Sequence, residues 1–443
     1  MAGPARIPIA GLSLTLLLTA TNGGRLLTVA QRDQLRAAKA PRTADVSANG
    51  RFVAFQSWSR LVDADDDDLL DIYVLDCLTA RVTLESGDAE GDTENAHARI
   101  SGDGSLVVFE SRSTRPERMP RMDIVLRDRE HATTRSLTDA VQRAGAFTWS
   151  RSPDISDDGR RVAFSSAATT LVPGADMNGA FEDVYVVDLP SGRISRVSLS
   201  VSGAQLAAGN SNLPSISADG NVIAFASTSP LDADSGAGAR TVTPRQIFVR
   251  DLGAQTTVRV SRTPRGAPPN GDSSIPSISG DGRYVVYGSE ADNIGTHDTN
   301  RDSDVFLFDR QTERTTQVSR AAGGGAPNGT SANAVISPDG RFVAFQSDAG
   351  NLVCAVRCAP AAEDLNLLWD VFIWDRTTER TIRASEDELG GWMDWSAGPA
   401  IDGTGRVIAF SSRHPINQGD RAQDLDLFVR LLPPALSQTT VRK

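Results

Sequence analysis

Lysine is almost missing from this 443-residue chain: Lys39 and Lys443 are the only two, and every other basic residue is arginine. The 45 basic side chains are outnumbered by 56 acidic ones, for a formal net charge of -11, which argues against the broad basic face of a nucleic-acid-binding protein. Cysteine is scarce, at Cys77, Cys354 and Cys358, so the fold does not depend on a disulfide framework. Cys354 and Cys358 form either a local loop disulfide or two idle thiols, and Cys77, at the end of a predicted strand, reads as a small buried filler. The four histidines, His97, His131, His297 and His414, are dispersed and form no H-E-x-x-H zinc motif. There is no G-x-S-x-G nucleophile elbow and no glycine-rich phosphate loop leading into a helix. No apolar run reaches the roughly 20 residues a membrane-spanning helix needs.

One apolar stretch does stand out, Ile7 to Ala20 after the single basic residue Arg6. It has the layout of a secretory signal peptide, or else of an apolar strand. Residues 1–20 are therefore expected to direct export, to the periplasm or outside the cell. Residues 21–40, with Leu26, Leu27 and Val29, are expected to be either a linker or a strand that closes the fold. The competing candidate for closure is residues 436–443; with that strand in place, deleting residues 21–40 would leave the melting temperature almost unchanged.

What the chain has in abundance is one string, repeated. A serine, a turn ending in glycine, an apolar run and a closing serine recur as SANGRFVAFQS (47–57), SGDGSLVVFES (101–111), SDDGRRVAFSS (156–166), SADGNVIAFAS (217–227), SGDGRYVVYGS (279–289), SPDGRFVAFQS (337–347) and DGTGRVIAFSS (402–412). Each copy carries four strand signals: one ending at the first serine, the VAF run after an Asp-Gly or Asn-Gly hairpin, a third such as DVFLFD (304–309), and a short fourth. Four antiparallel strands repeated seven times without a helical period predict an all-β fold, a single seven-bladed β-propeller spanning residues 41–443. Its four-stranded antiparallel blades fall at about 41–86, 96–138, 151–198, 212–261, 273–319, 331–385 and 396–443. Phe342, Phe345, Phe372 and Trp374 then belong to the core.

The S-x-D-G-R-x-V-A-F-x-S strings resemble the WD40-like PD40 repeats of TolB-type propellers. The resemblance is confined to the repeats. TolB-type proteins place an α/β domain before a six-bladed propeller, whereas the first repeat here begins near residue 41 and there are seven.

Residues shared by every copy are needed by every blade and are structural; function belongs to what differs between blades and to the loops. The long loops, those between second and third strands and those between blades, all emerge on one face, and long loops of this kind are usually functional. An acidic pattern leads into the third strands there: Asp65, Asp67 and Asp71; Asp298, Asn300, Asp302 and Asp304; Asp364, Asn366 and Asp370; and Asp420, Asp424 and Asp426, with a looser version at Asp176, Asn178 and Asp183. Alternating carboxylates on a turning loop supply the oxygens of a hard-cation site, calcium above all, with the blade 5 loop the best match; the same residues also make Asx turns. Trp392 and Trp395, in the loop GGWMDWSAG, either stack on a ligand or fold back over the rim.

These features point to an exported, monomeric, non-catalytic binding scaffold that presents a loop-rich, acidic face to a protein or polysaccharide partner. The alternative is a carbohydrate-active enzyme, a polysaccharide lyase or glycoside hydrolase, working in the central funnel. A convergent set of histidine, arginine and carboxylate on the channel wall is the feature that would favour it.

Overall fold

The computed structural model describes residues 44–87, 93–114, 121–138, 149–232, 243–295, 300–353, 368–386, 393–414 and 425–432, together with the backbone of two N-terminal strands, 16–21 and 24–33. Among these residues there is no helix, and the strands form seven antiparallel sheets. Six sheets take four strands in consecutive order from an inner to an outer strand. Blade 5, for example, runs Ser273–Ile278, Tyr284–Ser289, Asp304–Asp309 and Arg314–Gln317. The inner strands of successive blades touch all the way round, so the sheets close into a seven-bladed propeller about a central axis.

The second and third strands are apolar on both faces because each blade is covered on both sides. Facing aromatic pairs stack across them in six blades, from Phe55 on Tyr73 to Phe410 on Phe428, at centroid distances of 5.7 to 6.2 Å. In blade 2 the same register pairs Phe109 with Val125. Phe342, Phe345, Phe372 and Trp374 are all buried, as the repeats imply.

The repeated polar letters have local causes. In blade 5 the Ser279 hydroxyl donates to Asp281 Oδ1 at 2.5 Å and accepts the Tyr284 N–H at 2.9 Å, while Asp281 Oδ1 also accepts the Arg283 N–H. The glycine that follows sits at positive φ in every copy, 69° at Gly282 and 71° at Gly340. The arginine after it reaches the aspartate that ends the third strand, as in Arg283 to Asp309 at 2.7 Å and Arg341 to Asp375 at 2.8 Å, and lies over the next aromatic ring. The closing serine bonds the serine that opens the inner strand, as Ser331 with Ser347 at 2.9 Å.

The hairpin turns also join blade to blade. Backbone N–H groups of Asn49, Gly102, Asp158, Ala218, Gly280 and Gly403 donate to the next turn's carbonyl, at Gly102, Asp157, Ala218, Gly280, Pro338 and Ala48 respectively. The collar around the axis is broken only where Pro338 has no N–H to give to blade 7.

Blade 7 takes its outer strand from the other end of the chain. Gly24–Asp33 pairs antiparallel with Leu425–Leu431, from Arg25 opposite Leu431 to Asp33 opposite Leu425, and Leu16–Thr21 adds a fifth strand outside it. Of the two candidates for closing blade 7, the N-terminal segment takes the position, and the apolar stretch Leu16–Thr21 is paired backbone. Cys77 is half-buried and unpaired, and burial pushes its thiol up to about 12. Cys354 and Cys358 lie outside the described residues.

Two predictions follow from this architecture. Gly340→Ala forces a side chain into the left-handed region with its Cβ 2.7 Å from Tyr284, and should cost about 1–3 kcal/mol or more in urea denaturation. Gly179→Ala, at φ 66° with open space around it, isolates the backbone share. Deleting residues 24–33 uncovers the edge of Leu425–Leu431, and should lower the thermal midpoint sharply and promote aggregation.

Candidate functional site

The acidic loops are built on a tie that blades 1 to 6 repeat. The residue that starts the third strand accepts a hydroxyl hydrogen bond from the end of the fourth-strand region: Ser86 to Asp71 at 2.6 Å, Thr138 to Asp123 at 2.9 Å, Ser198 to Asp183 at 2.6 Å, Ser261 to Gln246 at 2.8 Å, Ser319 to Asp304 at 2.8 Å and Ser385 to Asp370 at 2.5 Å. One side-chain oxygen of each of these residues is therefore structural. In the five aspartates the other oxygen faces the loop, and there the blades diverge.

In blade 3 that oxygen of Asp183 accepts from Gln205 Nε2 at 2.7 Å, and the same amide nitrogen donates to Asp176 Oδ1 at 2.6 Å and Asn178 Oδ1 at 2.8 Å. Arg196 Nε stands 3.2 Å from Asp183 as well. The three loop oxygens thus converge on a nitrogen the protein itself supplies. Blade 5 does the same on a smaller scale, with Gln317 Nε2 on Asp304 Oδ2 at 2.8 Å, and blade 2 sets Arg121 Nε 2.5 Å from Asp123 Oδ2.

Blade 1 brings carboxylates together instead. Oxygens of Asp65, Asp67 and Asp71 lie within 4.8 Å of one another, the only such trio of acidic, histidine or cysteine side chains among the described residues. Asp65 and Asp71 are buried. Their hydrogen bonds come from neutral groups: the Tyr73 hydroxyl to Asp65, Ser86 and Asn95 to Asp71, and the Leu69 N–H to Asp67. Burial, and then the charges of Asp65 and Asp67, push Asp71 up to about 6 against the pull of the Ser86 bond. Arg60 reaches this loop through the Asp67 backbone carbonyl at 2.6 Å and the Asp68 carboxylate at 3.1 Å, not through the three crowded carboxylates, and their hard oxygens fit a calcium-like ion.

The remaining expected ligands are spread differently. In blade 5, Asn300 Nδ2 donates to the Gly329 carbonyl at 3.2 Å and its Oδ1 accepts the Asp302 N–H, Asp302 is exposed, and Asp304 is buried at its strand start. Asp370 and Asp426 are buried at their strand starts. Asp298, Asp364, Asn366, Asp420, Asp424 and Trp392 lie outside the described residues. Trp395 is half-buried, and its ring face is covered by the Arg413 guanidinium, 5.1 Å from the centroid.

A second cluster stands on the inner strands. Each inner strand from blade 2 to blade 7 is bulged, and the bulge puts one residue at positive φ: His97, Ser152, Leu213, Ile275, Asn333 and Gly398. Such bulges re-aim side chains, and a branched residue such as Ile275 adopts this conformation only under constraint. At blades 2 and 3 the positions around the bulge carry charge. His97 Nδ1 is 3.0 Å from Glu110 Oε2, and Glu110 Oε1 accepts the Ser152 N–H at 2.6 Å. Arg151 grips Glu182 through Nε at 2.5 Å and Nη2 at 2.7 Å, and Asn212 Nδ2 joins the same carboxylate at 3.1 Å. The two carboxylate side chains are buried, whereas those of His97 and Arg151 keep 32% and 44% of their surface open.

These axis residues escaped the sequence reading, although a signal for them exists. The place of Glu110 is held by Gln56, Ser165, Ala226, Gly288, Gln346 and Ser411 in the other blades, and that of Arg151 by uncharged residues in blades 2, 4, 5, 6 and 7. Seeing that the odd residues of two blades meet requires the ring.

No family model matches the chain, and no curated protein matches it in sequence. Solved structures do share the fold. An oligogalacturonate lyase from Vibrio parahaemolyticus is 10% identical, with 96% of this chain and 98% of that one covered at a TM-score of 0.54. The β-propeller domain of the Trilobed protease from Pyrococcus furiosus is 12% identical over 87% of this chain and 93% of its own, at 0.49. A putative TolB from Agrobacterium tumefaciens is 18% identical over 62% and 79%, at 0.39. At these identities the likeness establishes the β-propeller class and nothing finer. Among the described residues no helix is long and apolar enough to cross a membrane.

The raised Asp71 gives a pH test. Its folded pKa lies above the ordinary carboxylate value near 4, so the folded state holds the proton more tightly, and stability is lost as pH rises from about 4 through 6. In metal-free buffer Asp71→Asn should be more stable than the parent at pH 7.5 and lose that advantage at pH 4.5, as read by urea midpoints. Asp76 and Asp375, held down to about 2 mainly by Arg51 and Arg341, act in the opposite sense but only below about pH 4.

Proposed function

We propose that the protein is an exported binding scaffold without catalytic activity, whose loop-rich, acidic face takes a protein or polysaccharide partner and is stabilised by calcium or a similar hard cation in the blade 1 loop. The observation that carries the cation is the contrast between blades. Where blade 3 satisfies its loop oxygens with Gln205 and Arg196, blade 1 sets Asp65, Asp67 and Asp71 against one another, with one of them pushed toward protonation. These three residues would hold the ion, and its charge would offset their mutual repulsion and rigidify the loop.

Export to the periplasm or beyond rests on the signal-like sequence that follows Arg6, whose last residues, Leu16–Thr21, pair as the outermost strand of blade 7 while they remain in the chain, and the partner-binding role on long loops gathered on one face. The other expected loop ligands, Asp298, Asn300, Asp302 and Asp304 of blade 5 with their counterparts in blades 6 and 7, are secondary sites in this reading.

A second reading, a carbohydrate-active enzyme with its site in the central funnel, is favoured by one specific observation: the histidine, arginine and paired carboxylates assembled on the axis wall of blades 2 and 3.

The thermal midpoint in calcium, in magnesium and in excess chelator tests the first reading. A ligand at 100 times its dissociation constant stabilises the fold by about 2.7 kcal/mol. The midpoint should rise in calcium and the rise should vanish in Asp65→Asn/Asp67→Asn; identical curves in all three conditions return the trio to turn chemistry.

A further inference from the structure

We infer that the axis wall of blades 2 to 5 is a saccharide-binding site, in which Arg151 and His97 hydrogen-bond a sugar's hydroxyl edge while Leu213 and Ile275 cover its C–H face. The inference rests on the enzymatic reading only for the location of the site, and it concerns binding.

The first ground is internal comparison. Six blades repeat the same bulged inner strand, so whatever the bulge needs for folding is met by serine, leucine, isoleucine, asparagine or glycine. Histidine beside a buried glutamate, and arginine beside another, are not demanded by the fold. Burying two carboxylates is unfavourable unless they are paired and hydrogen-bonded. Glu182 holds the partly exposed Arg151 in a fixed attitude, while Glu110 stands 3.0 Å from His97 Nδ1 and accepts the Ser152 N–H, the tie that Gln56 and Gln346 make to the bulges of blades 2 and 7.

The second ground is what those attitudes leave open. Arg151 spends Nε and Nη2 on Glu182, and no described residue takes its Nη1. His97 has its Nδ1 buried against Glu110, so its exposed third is the rest of the ring. Its N–H is held by Gln56 Oε1 at 2.9 Å, which fixes the strained backbone from the neighbouring blade. The result is a planar guanidinium already oriented by a carboxylate, with an imidazole edge beside it whose open nitrogen can bond a hydroxyl.

The third ground selects the ligand class. Within the cluster two carboxylates, Glu110 and Glu182, stand against the single guanidinium of Arg151, so a simple anion gains little by entering. Directional donors and acceptors remain on one side. At the same bulge position in blades 4 and 5 stand the half-exposed aliphatic side chains of Leu213 and Ile275. A polar edge on blades 2 and 3, followed around the ring of inner strands by aliphatic side chains on blades 4 and 5, suits a pyranose ring, which carries hydroxyls around its rim and C–H groups on its face. A disordered or flat surface could not discriminate in this way, whereas a preorganised concave wall can.

The test is saturation-transfer NMR of the full chain with cellohexaose, chitohexaose and hexagalacturonate, run beside a reducing-end assay for cleavage. The variants are His97→Asn and Arg151→Asn, which place at blades 2 and 3 the residues that blades 6 and 4 already carry as Asn333 and Asn212. At least one oligosaccharide should bind the parent with a Kd below about 1 mM, and each variant should weaken it at least tenfold; His97→Asn should leave the thermal midpoint unchanged, whereas Arg151→Asn should lower it by leaving Glu182 without its ion pair. Binding of none of the three, or equal binding by parent and both variants, overturns the site. Cleavage that both variants retain leaves the enzymatic reading standing and removes this site from it; binding lost in the variants without any cleavage keeps the site and removes the enzyme. If a variant melts early, ligand-induced shifts of the His97 ring signals in the unmutated protein decide the same question.

Discussion

Each blade of this protein has two apolar faces, and a four-stranded sheet can bury both only by standing between two neighbours. Everything else depends on that constraint. It makes the ring obligatory, since an open row would leave the faces of the first and last blades in water, and fully burying a single Phe or Leu is worth about 1.5–3 kcal/mol. It also explains why the closing strand matters out of proportion to its length. Gly24–Asp33 completes the blade that the C-terminal part of the chain begins, so the two ends are tied through one backbone ladder. The collar of turn-to-turn hydrogen bonds then fixes the inner rim, where glycine is required at positions such as Gly280 and Gly403 because a Cβ would meet the neighbouring turn's carbonyl oxygen at 2.9 and 2.5 Å.

Seven near-copies of one unit let the chain separate support from function. The third-strand aspartate shows how finely. Its first oxygen is bound to a serine or threonine hydroxyl and holds the third strand to the fourth, and only its second oxygen differs in environment from blade to blade. An internal amide, an arginine or a group of further carboxylates can face that second oxygen without disturbing the first. A repeat protein can therefore install a charge-dense loop in blade 1 while blade 3 carries a neutralised version of the same design.

The two candidate sites also differ in how their charges are managed. In the blade 1 loop like charges are pressed together and one carboxyl is driven up to about 6, an arrangement relieved by a cation or a proton. On the axis wall Glu182 is paired with Arg151 and Glu110 accepts a backbone N–H, so each carboxylate is used within the fold.

Much of this was legible in the residues alone. The S-x-D-G strings, the seven-fold count and the buried VAF runs define a propeller because each is a local demand: a turn that needs positive φ, a hydroxyl that caps it, a strand apolar on both faces. Local demands are written contiguously, and so they can be read contiguously. The loop carboxylates were visible for the same reason, but which of them converge was not. Asp302 and Asp67 stand in similar strings, yet one is exposed and the other packed against two carboxylates, because loop conformation is set by neighbours such as Gln205 in blade 3 that lie well over 20 residues away. Ring closure by the N-terminal strand, and the meeting of His97 with Glu110 beside Arg151 and Glu182, were decided only in three dimensions. A ring brings together the one odd residue from each of several blades, and no spacing along the chain records which odd residues will share a wall.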